Sequence, residues 1–176
     1  NKLTRAAGIV TTSSSGSIGV TTTIITGIST VGVAVSDLVD NANFIAGTKV
    51  TGYGAAASQV VVDQTSTNTA AVSGSAVVNF LGMTTAYTSA AATKSILIGG
   101  TFANNTSSSV NLTVEVHDAS AGIQAALASK IPVPTGSSFV VSDAGKTVLE
   151  AGDEVRVFCD TANALDVNLS ILTGVS

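Results

Sequence analysis

The sequence predicts an all-β protein made of two small β-domains in tandem. Val, Ile and Thr are abundant, and these β-branched side chains pack well on pleated, half-buried surfaces. Charged residues make up 10% of the chain, against roughly 25% in an average domain, so Lys, Arg and Glu, which favour helices, are scarce. Near residues 81–84 (LGMT) a first Thr-, Val- and Gly-rich pattern gives way to a second one. We therefore expect one β-module on each side of this point.

Residues 1–20 predict an N-terminal arm, because they lack a regular apolar pattern. Within them the run SSSGS at positions 13–17 is flexible by composition. Terminal segments are disordered unless something ties them down. We expect the arm to dock on a neighbouring subunit, and a disordered tail is the alternative.

Residues 21–82 predict a small β-barrel or β-sandwich. Short apolar runs in this stretch are separated by turn signals about every 8–12 residues, which is typical of such folds. The expected strands are 21–28, 31–39, 49–53, 60–63 and 73–80. Residues 83–92 are expected to form a linker.

Residues 93–176 predict an antiparallel β-sandwich of the jelly-roll kind. The alternation of Val110, Leu112, Val114 and Val116 indicates a strand with one buried face. The Ala-rich stretch 119–130 predicts either a short helix or a loop. In the run VLEAGD at 148–153, Gly152 and Asp153 predict a tight turn. The expected strands are 95–103, 110–118, 139–142, 147–149, 154–159 and 165–172.

The charge distribution disfavours nucleic acid as a partner. The net charge is −4, all of it in the second half, and neither half has the basic patch that phosphate groups require. With so few charges, the surface must be largely Ser, Thr, Asn, Gly and Ala. Such a surface suits contact with other proteins, since burying a hydroxyl costs less than burying a charge. We expect a homo-oligomer, with a trimer favoured, and the alternative is a secreted monomeric β-domain.

No residue is predicted to be catalytic, to bind a cofactor or to bind a metal, so the chain is not expected to be an enzyme. His117 and Asp118 are neighbours on a strand and point to opposite faces. Cys159 is the only cysteine and is expected to pack as a small apolar side chain. Two acidic groups offer oxygen atoms that calcium could use, but solvated turns agree better with the sequence: Glu150, Asp153 and Glu154, and Asp37, Asp40, Asn41 and Asn43.

Three other motifs are interpreted as structural. The glycines at 52 and 54 are not followed by a helix, so they indicate a turn rather than a dinucleotide loop. The sequons at Asn104, Asn105, Asn111 and Asn168 are expected by chance in a chain so rich in Ser, Thr and Asn. The two tyrosines, Tyr53 and Tyr87, provide little aromatic surface for binding sugars.

No apolar stretch approaches the roughly 20 residues of a membrane helix, and no secretory signal is evident, so we expect cytoplasmic synthesis.

Both halves resemble β-modules of tailed-bacteriophage virion proteins. In the first half, residues 26–30 (TGIST), 35–39 (VSDLV) and 45–50 (IAGTKV) are similar to a module of phage fibres and surface proteins. That module has a glycine where Ser36 stands and a Gly-Xaa-Gly turn where 41–43 stand. In the second half, residues 131–137 (IPVPTGS), 148–153 (VLEAGD) and 164–170 (ALDVNLS) are similar to small β-sandwich subunits described as phage structural proteins.

The resemblance implies a non-enzymatic structural protein of the virion. The expected function is a capsid decoration or cement subunit that binds the major capsid protein or other virion proteins and stabilises the shell. The alternative is a tail, neck or fibre subunit that contacts the host surface. Neither role requires a cofactor, a membrane or nucleic acid.

Overall fold

The computed structural model describes residues 2–6, 9–142 and 146–175. All its strand pairings are antiparallel, and the described residues contain no helix. The prediction of an all-β fold is therefore confirmed.

The chain forms two compact units, and they are not consecutive in sequence. The barrel unit is Ile9–Gly82, whereas the sandwich unit combines the strand before it with the chain from Met83 onward. The barrel unit is thus inserted into the sandwich unit, after its first strand. Its strands are β2 (Ile9–Ile18), β3 (Ile24–Thr26), β4 (Leu38–Asp40), β5 (Val50–Tyr53), β6 (Gln59–Val62) and β7 (Val72–Leu81).

The barrel unit is one six-stranded sheet that curls until its two edge strands nearly meet. The strand order is β4-β7-β2-β3-β6-β5. The edge strands are joined by a bridge between Leu38 and Lys49 and by the Val39 N–H, which donates to the Thr48 carbonyl at 2.8 Å. Ile18, Ile25 and Phe80 are fully buried in the core, and burying a side chain of this kind contributes about 1.5–3 kcal/mol.

The sandwich unit packs two sheets around one core. The first, called the β9 sheet, has the order β1-β15-β9, with β12 and β13 both along the far edge of β9. The second, called the β14 sheet, has the order β11-β10-β14-β8. The strands are β1 (Lys2–Ala6), β8 (Thr84–Thr88), β9 (Lys94–Asn104), β10 (Val110–Asp118), β11 (Ile123–Val133), β12 (Ser138–Val141), β13 (Thr147–Leu149), β14 (Glu154–Cys159) and β15 (Leu165–Val175).

Alternation along the central strands creates the sandwich core. Val155, Val157 and Cys159 of β14 are fully buried, and the residues between them lie on the outer face. Leu112 and Val114 of β10 pair with Cys159 and Val157, so they lie on the same inner face. The alternation read from the sequence therefore marks the buried face correctly.

The first 20 residues differ from the expected arm. Strand β1 pairs with β15, from Lys2 opposite Leu169 to Ala6 opposite Leu165, and β2 lies between β7 and β3 inside the barrel sheet. Residues 1, 7 and 8 of the expected arm lie outside the described residues. The sequence does not indicate these strands, because Ser and Thr at successive positions leave no apolar alternation and the partner strands are distant in sequence.

Three further segments differ from expectation. Within 31–39 only the end belongs to a strand, β4, because Gly32 and Ser36 have φ values of 80° and 79°, which extended backbone does not allow. The Ala-rich stretch 119–130 forms a turn followed by most of β11, so it is neither a helix nor a loop throughout. The expected linker 83–92 contains β8, which pairs with β14.

Candidate functional sites

His117 and Asp118 do not work together in this structure. His117 lies on the outer face of the β14 sheet, opposite Glu154 in the register. Asp118 ends β10, where one carboxylate oxygen accepts hydrogen bonds from the Ser120 and Ala121 N–H groups, both at 2.9 Å. These bonds, with the Ala121 bond contributing most, lower the pKa of the Asp118 carboxyl. The carboxylate is therefore a turn cap and does not orient the imidazole.

The imidazole of His117 instead belongs to a charged cluster with Arg156 and Glu154. The Arg156 Nη2 donates to His117 Nδ1 at 3.0 Å, and the Arg156 Nε donates to Glu154 Oε2 at 2.6 Å. In this arrangement Nδ1 is the acceptor, so the proton of a neutral ring sits on Nε2. Thr85 adds a weak bond from its hydroxyl to Glu154 at 3.4 Å. The bond from Arg156 to His117 links strands β14 and β10, and the bond from Thr85 to Glu154 links strands β8 and β14.

Cys159 is a core residue, as predicted. Its side chain is fully buried at the end of β14, opposite Leu112. Burial, with a smaller contribution from the neighbouring Asp160 carboxylate, raises the pKa of the thiol to about 11. A thiol in this state carries almost no thiolate at neutral pH and is a poor nucleophile.

The acidic group at 150–154 is dispersed by the fold. Glu150 forms an exposed ion pair with Lys94 at 3.5 Å, and Glu154 bonds Arg156. Asp153 is 6% exposed and accepts from the Ala119 N–H at 3.0 Å and from the Glu150 N–H at 2.9 Å. Gly152 has a φ of 90°. The Gly152–Asp153 turn is therefore built as the sequence predicts, and its carboxylate satisfies backbone donors.

The other acidic group, at 37–43, is also occupied by local bonds. Asp37 is 6% exposed and accepts from the Ala34 N–H at 2.8 Å. Burial raises the pKa of its carboxyl, and the Ala34 bond partly opposes this. The Asn41 side chain accepts from the Asn43 N–H at 2.9 Å and so forms the turn itself. Across the described ranges, no three His, Cys, Asp or Glu side chains converge as metal ligands would.

The tyrosines and sequons have assigned places in the fold. The Tyr53 hydroxyl donates to the Val33 carbonyl at 2.5 Å while 52% of the residue stays exposed, and the Tyr87 hydroxyl bonds Ser95 at 2.8 Å.

Asn104 is 6% exposed, and its amide bonds Ser108, Val133 and Thr106. A glycan could not be attached to this buried amide without opening the sandwich. Asn111 and Asn168 are exposed on strands, and Gly52 and Gly54 lie at β5 and the turn after it.

A depression on the barrel unit has a volume of about 450 Å³. Its lining consists of apolar side chains, hydroxyl groups such as those of Ser17 and Thr22, and the Gln59 amide, with no charged side chain. Such a lining offers neither a general base nor a nucleophile–base pair.

Comparisons with protein-family models, with curated proteins and with solved structures give no match for this chain. Among the residues described, no helix is long and apolar enough to cross a membrane.

Proposed function

We propose that this protein is a non-enzymatic structural subunit of a tailed-bacteriophage virion. Its role is that of a decoration or cement subunit, which binds the major capsid protein, or another virion protein, and stabilises the shell. The sequence resemblance in both halves supports the assignment to a virion, and the all-β fold agrees with it. Further copies of the chain are the second class of partner.

The outer face of the β9 sheet carries this proposal. Val148 of β13 and Leu172 of β15 both pair with Ile96 of β9, which makes a continuous apolar row across three strands. Ile98 lies two residues further along β9, and Val140 of β12 lies opposite Thr101, three residues beyond Ile98 on the same strand. Four of these side chains are 39–55% exposed although they are large and apolar. Contiguous exposed apolar surface of this kind marks protein interaction sites. We call these five residues the apolar face.

The opposite side of the sandwich has the reverse character. The outer face of the β14 sheet carries the cluster of His117, Glu154 and Arg156, with Glu115 beside Arg156 in the register. Covering these charges would cost desolvation energy that the apolar face does not require. The sandwich unit therefore has one face suited to docking on a protein shell and one suited to water.

The docking role is tested with lysines on the apolar face. Val148→Lys and Leu172→Lys place a charge where burial is proposed, and Val31→Lys is the matched control, because Val31 is 81% exposed in a loop of the barrel unit. Cosedimentation with shells assembled without this chain should show binding reduced about tenfold or more in the first two variants, equivalent to 1.4 kcal/mol or more. Equal binding by all three would refute docking through this face.

A tail, neck or fibre subunit that touches the host surface is the second candidate. One observation favours it: the Tyr53 ring is half exposed while its hydroxyl is held by the Val33 carbonyl, which fixes an aromatic surface that could stack on a sugar. This role predicts that the isolated protein binds host cells and that Tyr53→Ala abolishes that binding. A decoration subunit predicts no such binding by either form.

A further inference from the structure

Strand β11 is the longest edge strand in the described part of the chain. In the barrel unit the edge strands β4 and β5 have only three and four residues and are joined to each other. In the sandwich unit the other edges, β1, β8, β12 and β13, have three to five residues, whereas β11 has eleven. Short edges are one way in which proteins prevent unwanted strand pairing, and a long apolar edge is a template for another strand.

The second half of β11 is protected and the first half is not. Bulges interrupt the pairing with β10 on both sides of Val114, Lys130 has a φ of 51° and carries a charge, and Pro132 has no N–H to donate. From Ile123 to Ala126, in contrast, four consecutive residues pair with β10 without a break. Between residues 119 and 129 there is no charged side chain.

This unprotected segment extends beyond the sandwich core. Residues 123–127 are all exposed, although successive side chains of a strand point to opposite faces. Ile123 is 60% exposed and Leu127 is 37% exposed. Both faces of the ribbon and its outer backbone edge are therefore accessible to another strand.

We propose that β11 is a self-association strand, which pairs antiparallel with β11 of a second copy about a two-fold axis near Ala125. In an antiparallel pair opposite residues share a face, and continuous sheets from two copies keep their inner faces on one side. Ala125 then faces Ala125, and Gln124 faces Ala126. The proposal goes beyond the virion assignment and does not depend on it.

The absence of charged side chains from this segment favours a second copy of the chain as the partner of β11. Like charges directly opposite each other destabilise a strand pair, and the paired segment has none to oppose. The two Lys130 side chains lie five residues from the axis in opposite directions, roughly 33 Å apart at 3.3 Å per residue. A two-fold contact closes with two copies, so the proposed assembly is a dimer in place of the trimer that the sequence favours.

Sedimentation velocity of the full chain tests the pairing. The unmodified protein should be a dimer, and Ala125→Lys and Ala125→Glu should each be monomers with unchanged circular dichroism. An equimolar mixture of the two variants should recover the dimer, because opposite charges then meet. Val148→Lys, on the other sheet, should remain a dimer whether or not it binds shells. A monomeric unmodified protein, a dimeric Ala125→Lys, or a mixture that stays monomeric would each overturn the proposal.

A cross-link provides a second measurement that does not rely on disrupting the dimer. Opposite residues of an antiparallel pair have Cα atoms about 4.5–5.5 Å apart, within the range of about 4.4–6.8 Å that a disulfide requires. Ala125→Cys should therefore form a disulfide-linked dimer on mild oxidation. Val148→Cys, which is also at an exposed position, should not, and the buried Cys159 does not compete. Equal cross-linking of the two variants would contradict the proposed register.

Discussion

The Asp153 carboxylate should be one of the main supports of the sandwich unit. It is 6% exposed and accepts two backbone N–H groups, from Ala119 in the turn before β11 and from Glu150 in the turn before β14. Asp153→Ala leaves both donors without a partner in partly buried positions. Each lost partner costs about 1–3 kcal/mol. Because water can partly reach both sites, we take the lower half of that range for each, which gives about 2–4 kcal/mol in total. Asp153→Asn retains one acceptor and should lose about half as much.

Urea unfolding followed by circular dichroism measures this loss. The matched control is Asp160→Ala, in the same unit, where the carboxylate accepts from Asn111 N–H at 2.9 Å and Asn111 Nδ2 at 2.6 Å at an exposed site. Water can replace these bonds, so the control should lose about 1 kcal/mol or less. If Asp153→Ala and Asp160→Ala lose equal stability, the reasoning about buried donors is refuted.

Four other predictions follow from single residues or segments. Ser36→Gly should raise the free energy of unfolding by about 0.5–1 kcal/mol in urea titration. Ser36 has a left-handed conformation, which costs an L-residue about 1–2 kcal/mol, and glycine removes this cost but loses more chain entropy on folding. A lower free energy of unfolding would contradict this prediction. Asp37→Asn should raise the melting temperature at neutral pH. The raised pKa of the Asp37 carboxyl means that the folded state holds this proton more tightly than the unfolded state, so the stability of the parent protein falls as the pH rises above 3.8. The melting temperatures of the two proteins should therefore converge at lower pH. A difference in melting temperature that does not change with pH would refute this. Cys159 should react with a thiol reagent only as fast as the sandwich opens, and rapid labelling of the native protein would contradict its burial. Deletion of residues 1–17 should unfold the barrel unit, because it removes a strand paired on both sides, and a barrel that keeps its amide protection would show that β2 is dispensable.

The fold class and the sandwich strands could be predicted because their signals are local. Residues 147–149 and 154–159 were predicted with the bounds that the structure has. Alternating apolar residues marked the buried faces, and the Gly152–Asp153 pair marked the turn. Each of these signals is carried by residues within a few positions of one another.

The remaining features depend on partners that are distant in sequence. β1 is a strand because the edge of β15 is available to it, and nothing within residues 1–20 indicates that edge. The Ala-rich start of β11 has intrinsic helix propensity, but pairing with β10 overrides it, as tertiary contacts commonly do. The apolar face was missed for the same reason, since it forms only when Ile96 meets both Val148 and Leu172.

The surroundings of His117 show the limit of predicting a site from residue types. The sequence gives His117 beside Asp118, but the structure joins His117 to Arg156, 39 positions away. Long-range register decides which groups meet, and a single sequence contains no direct record of it. The expectation that neighbouring strand residues face apart was sufficient to separate His117 from Asp118.

The central claim is the proposed virion role, and its most direct test is quantitative mass spectrometry of purified phage particles from a culture that produces this chain, with the chain counted against the major shell protein. A decoration or cement subunit predicts a copy number of the same order as the shell protein. A many-fold lower number would support a tail, neck or fibre location, and absence of the chain from the particles would contradict a virion role.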